Sequence, residues 1–159
     1  MTVRRTRMPL ALTSLSLIGL IPLVYLAFGA VGHIPETSER MLIALVDYAA
    51  LILTFAGGVH WGLALQPETL RPAARFGGGV VPLIIAWISL IVSQLVSPTV
   101  ALVVLIAGYL ATILVEHRAA KRYLLPSRYV WLRWGFSLVA IVMMTMVCVL
   151  RSVGQTIVF

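Results

Sequence analysis

The chain has 159 residues, of which 61% are apolar and 11% charged, and its mean hydropathy is +1.05. A soluble domain carries about 45–50% apolar and about 25% charged residues; a core this small cannot hide the excess, so the surrounding medium must be lipid. The net charge of +7 does not mark a nucleic-acid protein, because the basic residues fall in the gaps between apolar runs, and the lone Cys148 excludes an intrachain disulfide and a cysteine-only metal site.

A helix needs about 20 apolar residues to cross about 30 Å of hydrocarbon. Five segments qualify, at about 10–31, 41–65, 79–96, 99–115 and 131–150, and together they make residues 1–159 a single integral-membrane domain. None alternates with period two as a barrel strand would, and helices satisfy their backbone groups internally, as lipid demands. The first span follows Arg4, Arg5 and Arg7. Its apolar run of about 22 residues exceeds the usual signal-peptide core of about 7–15, so we expect it to stay as an anchor. Pro22 lies inside it and predicts a kink at Gly19–Pro22.

Pro35-Glu36-Thr37-Ser38-Glu39 closes the first span and opens the second, with acidic side chains near the positive helix N-terminus. Pro82 falls in the expected first turn of the third span. Ser97 as N-cap and Pro98 at the first helical position join spans three and four into an antiparallel hairpin. The longest polar stretch, Glu116–Arg133, is expected to be solvated, with Arg118, Lys121 and Arg122 beside Tyr123-Leu124-Leu125 touching anionic lipid. Tyr129, Trp131 and Trp134, where the fifth span enters, form an interfacial belt.

Orientation follows from charge. The N-terminal segment, the second gap and the fourth gap together hold ten of the 12 Lys and Arg residues. That asymmetry predicts a cytoplasmic N-terminus, a periplasmic C-terminus and residence in the bacterial cytoplasmic (inner) membrane.

Chemistry-bearing residues are sparse. Gly58 and Gly62 stack on one face of span two and, widened by Gly57, form a small-residue surface against which a neighbouring helix can pack, in the chain's own bundle or in a partner. Asp47 is the one carboxylate expected within a span; it needs a protein or water partner, and Gln94 at the outer end of span three is the first candidate. On a helical wheel Thr54, Gly58 and Trp61 share the face of Asp47, whereas His60 lies opposite and about 20 Å away along the axis. Asp47, Gln94 and His60 are therefore candidate intramembrane polar residues but not a direct acid–base pair. A relay between them would need Ser89, Tyr109 or Thr112 from other helices. His60 and His117 fall at one depth on different helices, as ligands of a b-type haem or a quinone head group would. His33 is expected to be exposed in the outer loop. No metal cluster, phosphate-cradling loop or nucleophile–base arrangement is detectable.

The string Gly57-Gly58-Val59-His60-Trp61-Gly62-Leu63-Ala64, with Asp47-Tyr48 before it and Val81-Pro82-Leu83-Ile84-Ile85-Ala86-Trp87 after it, resembles a family of small bacterial membrane proteins known as domain of unknown function 3429. That family in turn looks like the animal transmembrane protein 69. The resemblance implies a five-helix inner-membrane protein and supplies no catalytic residue. Sequence alone thus leads to an all-α polytopic bundle of five transmembrane helices. It is expected to be a non-enzymatic accessory or assembly subunit of a membrane complex, a respiratory complex being one such, without a cofactor. Its partners would be the bilayer, other membrane subunits or a second copy. The rival reading is a small transporter or a haem- or quinone-binding redox protein. Reporters fused to the two ends should report opposite compartments, with the N-terminus inside; signals from the same side would refute five crossings.

Overall fold

The computed structural model describes residues 18–65, 72–121 and 127–154, and these are helical apart from short connections. In chain order the helices are α1 (Leu20–Gly29), α2 (Pro35–Ala64), α3 (Pro72–Leu95), α4 (Pro98–Lys121) and α5 (Ser127–Ser152). Helices α2 to α5 each contain a stretch long and apolar enough to cross a bilayer. The described part of the first expected span is the short helix α1; the earlier part of that span, and Arg4, Arg5 and Arg7, lie outside the described residues.

Each long helix outruns its apolar stretch, because backbone hydrogen bonding continues after the side chains turn polar. Helix α2 begins at Pro35, which occupies the first helical position and needs no N–H there, with Glu36 in the first turn. Helix α3 begins at Pro72, so Pro82 lies well inside the helix and not in its first turn. Ser97 caps α4 as expected: its Oγ accepts the Thr99 N–H at 3.2 Å. Between Lys121 and Ser127 only five residues remain, so most of the expected Glu116–Arg133 loop is helix; Tyr123-Leu124-Leu125 lies outside the described residues. At the other end of the chain, Gly19 is a turn residue just before α1, and its carbonyl accepts the Tyr48 hydroxyl at 2.8 Å; nearly all of the span preceding the kink predicted at Gly19–Pro22 lies outside the described residues.

The helices form a closed ring, α1 packing on α2 and α5, α2 on α3, α3 on α4, and α4 on α5, with a further α2–α4 contact across the middle. Inward positions recur at helical spacing: Leu42, Leu45, Val46, Ala49 and Leu53 on α2 meet Leu102 and Leu105 on α4. Tyr109 ties the same two helices with a hydroxyl bond to the Ala49 carbonyl at 2.9 Å. Apolar burial alone gives little association free energy in lipid, so close packing and such polar ties must hold the bundle.

The tightest packing is between α2 and α3. A Cβ placed on Gly57 would lie 2.5 Å from the Gly79 carbonyl oxygen, and one on Gly79 would collide with the Trp61 indole. Trp61 itself donates from Nε1 to the Phe76 carbonyl at 3.2 Å. Gly58 and Gly62, expected to share this packing role, do not: a Cβ on either meets nothing within 4 Å, because both point out of the ring. At the end of the bundle opposite His60, Arg151 on α5 donates to the Ala30 carbonyl at 3.0 Å and to Glu39 at 2.6 Å, fastening α5 to the α1–α2 connection.

Gly57→Ala should therefore cost about 1–3 kcal/mol by overpacking against a backbone carbonyl, whereas Gly58→Ala should be neutral or slightly stabilising within this chain. Reversible unfolding in mixed micelles measures both; equal effects would contradict the packing described.

Candidate functional site

Near one end of the ring, α2, α4 and α5 bring together His60, Glu116 and Arg133. Glu116 is 2% exposed and Arg133 8%. Arg133 Nε donates to Glu116 Oε1 at 3.3 Å, and His60 Nε2 lies 3.7 Å from the same oxygen. The Arg133 guanidinium also sits 6.0 Å above the Tyr109 ring, a cation–π distance. Helix continuity explains the meeting. Continuing past Val115, α4 places Glu116 one helical turn beyond Thr112 on the buried face, and α5, already helical at Ser127, turns Arg133 inward with Val130 and Ser137.

This overturns the expectation for Glu116, which is not a solvated helix end, and for Arg133, which is not a loop charge facing the cytoplasm. A lone charge within a bilayer is costly, but opposite charges from neighbouring helices can neutralise each other there. The exposed Arg118 fits the solvated reading.

The pair is incompletely coordinated. A carboxylate and a guanidinium can join through two parallel hydrogen bonds, yet here Glu116 Oε2 and one terminal nitrogen of Arg133, Nη2, are buried and have no partner among the described residues. Two further buried groups on the same stretch of α5 as Arg133, Trp134 Nε1 and Ser137 Oγ, are likewise unpaired among the described residues. The Trp134 ring lies 5.2 Å from His117 and 5.7 Å from Trp131, which is exposed on the opposite face of α5 from Arg133.

Other candidates sit elsewhere. Asp47 and Gln94 are both exposed, and no hydrogen bond or ion pair engages either among the described residues. His60 lies on the opposite side of α2, beside Glu116, and is not brought to Asp47. Ser89, Tyr109 and Thr112 each donate to a backbone carbonyl, Ala86, Ala49 and Tyr109 respectively, so they form no chain of polar steps. His33 is exposed. His117 faces Trp134 while His60 faces Glu116, so a shared haem would require both imidazoles to leave those neighbours. Among the described residues no group of three His, Cys, Asp or Glu side chains is placed to hold a metal ion.

Sequence reasoning missed Glu116 because it ended span four at Val115, and missed Arg133 because, although inside the expected fifth span, it was counted with the charges of the preceding gap. The available signal was the one acid of that gap, Glu116, facing Arg133, a base set between Leu132 and Trp134 inside the start of the next span.

Comparison with known proteins adds a family. The model of a family described as "Protein of unknown function (DUF3429)" matches residues 8–149. Transmembrane protein 69 of Xenopus tropicalis is 36% identical over 101 residues, a match covering 59% of this chain and 38% of that protein. The chain thus spans well under two thirds of the length of this curated relative. No solved structure matches.

Glu116→Ala leaves the Arg133 charge buried without its counter-ion and should destabilise the bundle by about 3–5 kcal/mol. Arg118→Ala should stay within about 0.5 kcal/mol. Equal midpoints in denaturant titrations of the two variants would contradict the cluster.

Proposed function

We propose for this chain, which belongs to the DUF3429 family of proteins of unknown function, a role as a non-enzymatic accessory or assembly subunit that docks a partner's transmembrane helix on the outer face of α2. One observation carries the reading. Ile43, Asp47, Leu51, Phe55, Gly58 and Gly62 succeed one another at three- and four-residue spacing and are all exposed, so they line a single stripe that the described helices leave open.

Lipid covers Leu51 and Phe55 at no cost, but it does not suit the other members of the stripe. Asp47 lies about 18 Å along the helix from Pro35, within the apolar span, and an ionised carboxylate there costs up to about 2.5–3.5 kcal/mol unless something solvates it. Gly58 and Gly62 offer a flat surface that lipid chains fill poorly and a helix backbone fills well. A helix with close-packing small residues opposite Gly58–Gly62, and a cationic or hydrogen-bond-donating side chain about 16 Å further along opposite Asp47, would satisfy both requirements. A symmetric second copy would set Asp47 against Asp47, which favours a different chain as the partner.

The remaining parts of the proposal are topological. The skew of basic residues supports a cytoplasmic N-terminus, a periplasmic C-terminus and placement in a bacterial inner membrane, with the Glu116–Arg133 end of the bundle towards the cytoplasm.

Isolation from native membranes in mild detergent should retain a second membrane protein in fixed stoichiometry. Asp47→Leu and Gly58→Leu should each release it without altering the stability of the isolated chain. A wild-type chain recovered alone, or partner retention unchanged in both variants, would refute the proposal.

A further inference from the structure

The unused hydrogen-bonding capacity around Glu116 is specific enough to describe what would fill it. Glu116 Oε2 is an acceptor, Arg133 Nη2 and Trp134 Nε1 are donors, and Ser137 Oγ can act either way; all four atoms are buried and unpaired. Arg133, Trp134 and Ser137 stand within one turn of α5, with Ser137 one turn from Arg133 on the same face, and Glu116 is bonded to Arg133. Buried polar atoms left unpaired are costly, charged ones most of all, so two within the ion pair and two on the helix turn that carries its arginine call for a shared partner.

We infer that Glu116, Arg133, Trp134 and Ser137 form a buried site for one hydroxyl group, supplied either by water or by the head of a lipid-soluble phenol or quinol. A hydroxyl oxygen accepts from the Arg133 guanidinium and the Trp134 indole while its hydrogen is donated to Glu116 Oε2. Water has a second hydrogen for Ser137 Oγ; a phenol or quinol presents a ring at that point instead. The Trp134 ring, 5.2 Å from His117, provides an aromatic surface against which such a ring can lie. An anion alone does not suit the site, since Glu116 already carries the negative charge that Arg133 neutralises. A bare cation would face two N–H donors.

The test uses the full chain in lipid nanodiscs with isotope-labelled tryptophan, the Trp134 indole signal being identified by its loss in Trp134→Phe. The inference predicts that this indole exchanges magnetisation with water, or that it shifts saturably on adding a short-tailed benzoquinol. Exchange without a quinol shift assigns the hydroxyl to water; a saturable shift that suppresses the exchange assigns it to the quinol. Ser137→Ala, which leaves the ion pair intact, should move the Trp134 signal and leave those of Trp61 and Trp87 in place. A Trp134 indole that neither contacts water nor responds to the quinol, in a chain whose other indole signals are those of the folded protein, would overturn the site.

Discussion

In a bilayer, the ion group of His60, Glu116 and Arg133 sets the limits within which the rest of the bundle can be arranged. Lipid tails are as apolar as leucine, so the buried Leu and Ala positions of α2 and α4 gain packing but little transfer free energy when the helices meet. Separating α4 from α5 is different, because it would expose a carboxylate and a guanidinium to hydrocarbon together. Glu116 and Arg133 therefore fix the register of the last two helices, and His60, 3.7 Å from the same carboxylate oxygen, adds α2 to that constraint. The Arg151 contacts to Glu39 and the Ala30 carbonyl do corresponding work at the far end, and they close the ring between α5 and the α1–α2 connection.

Helix α2 serves two surfaces at once. Its inward side presents Gly57 to the backbone of α3, where no side chain larger than hydrogen fits, and presents His60 to the ions. Its outward side carries Asp47, Gly58 and Gly62. Adjacent glycines in the sequence thus have opposite duties, one internal and one facing out of the bundle. The distinction follows from the roughly 100° between successive residues on a helix. The division also separates two kinds of polar chemistry. The inner ions are neutralised within the chain, whereas Asp47 has no neutralising group among the described residues.

Much of this architecture was legible before any coordinates. Hydropathy located the four long helices, and Ser97-Pro98 marked a cap that forms as expected. The helix ends were not legible, because hydropathy measures what lipid tolerates and not where backbone hydrogen bonding stops. That single shortfall displaced Pro82 from the first turn to the interior of α3. It also left Glu116 in a loop, and Arg133, though inside the expected fifth span, was grouped with that loop's charges instead of with a buried partner. The glycine motif was recognised, but four-residue spacing says only that Gly58 and Gly62 share a face. Which side of the bundle that face adopts depends on where Leu45, Ala49 and Leu53 point. The pairing of Asp47 with Gln94 rested on matched depth alone, and depth does not determine azimuth: both side chains point away from the bundle.

The central claim is that Glu116 and Arg133 act as one unit inside the membrane domain. A double-mutant cycle on unfolding free energy, using Glu116→Gln, Arg133→Gln and the combined variant, tests it most directly. If the pair is buried and coupled, the double variant should be more stable than the sum of the single losses predicts, by an interaction energy on the order of 1–3 kcal/mol. Strict additivity within about 0.5 kcal/mol would mean that the two charges do not meet, and the account would fail.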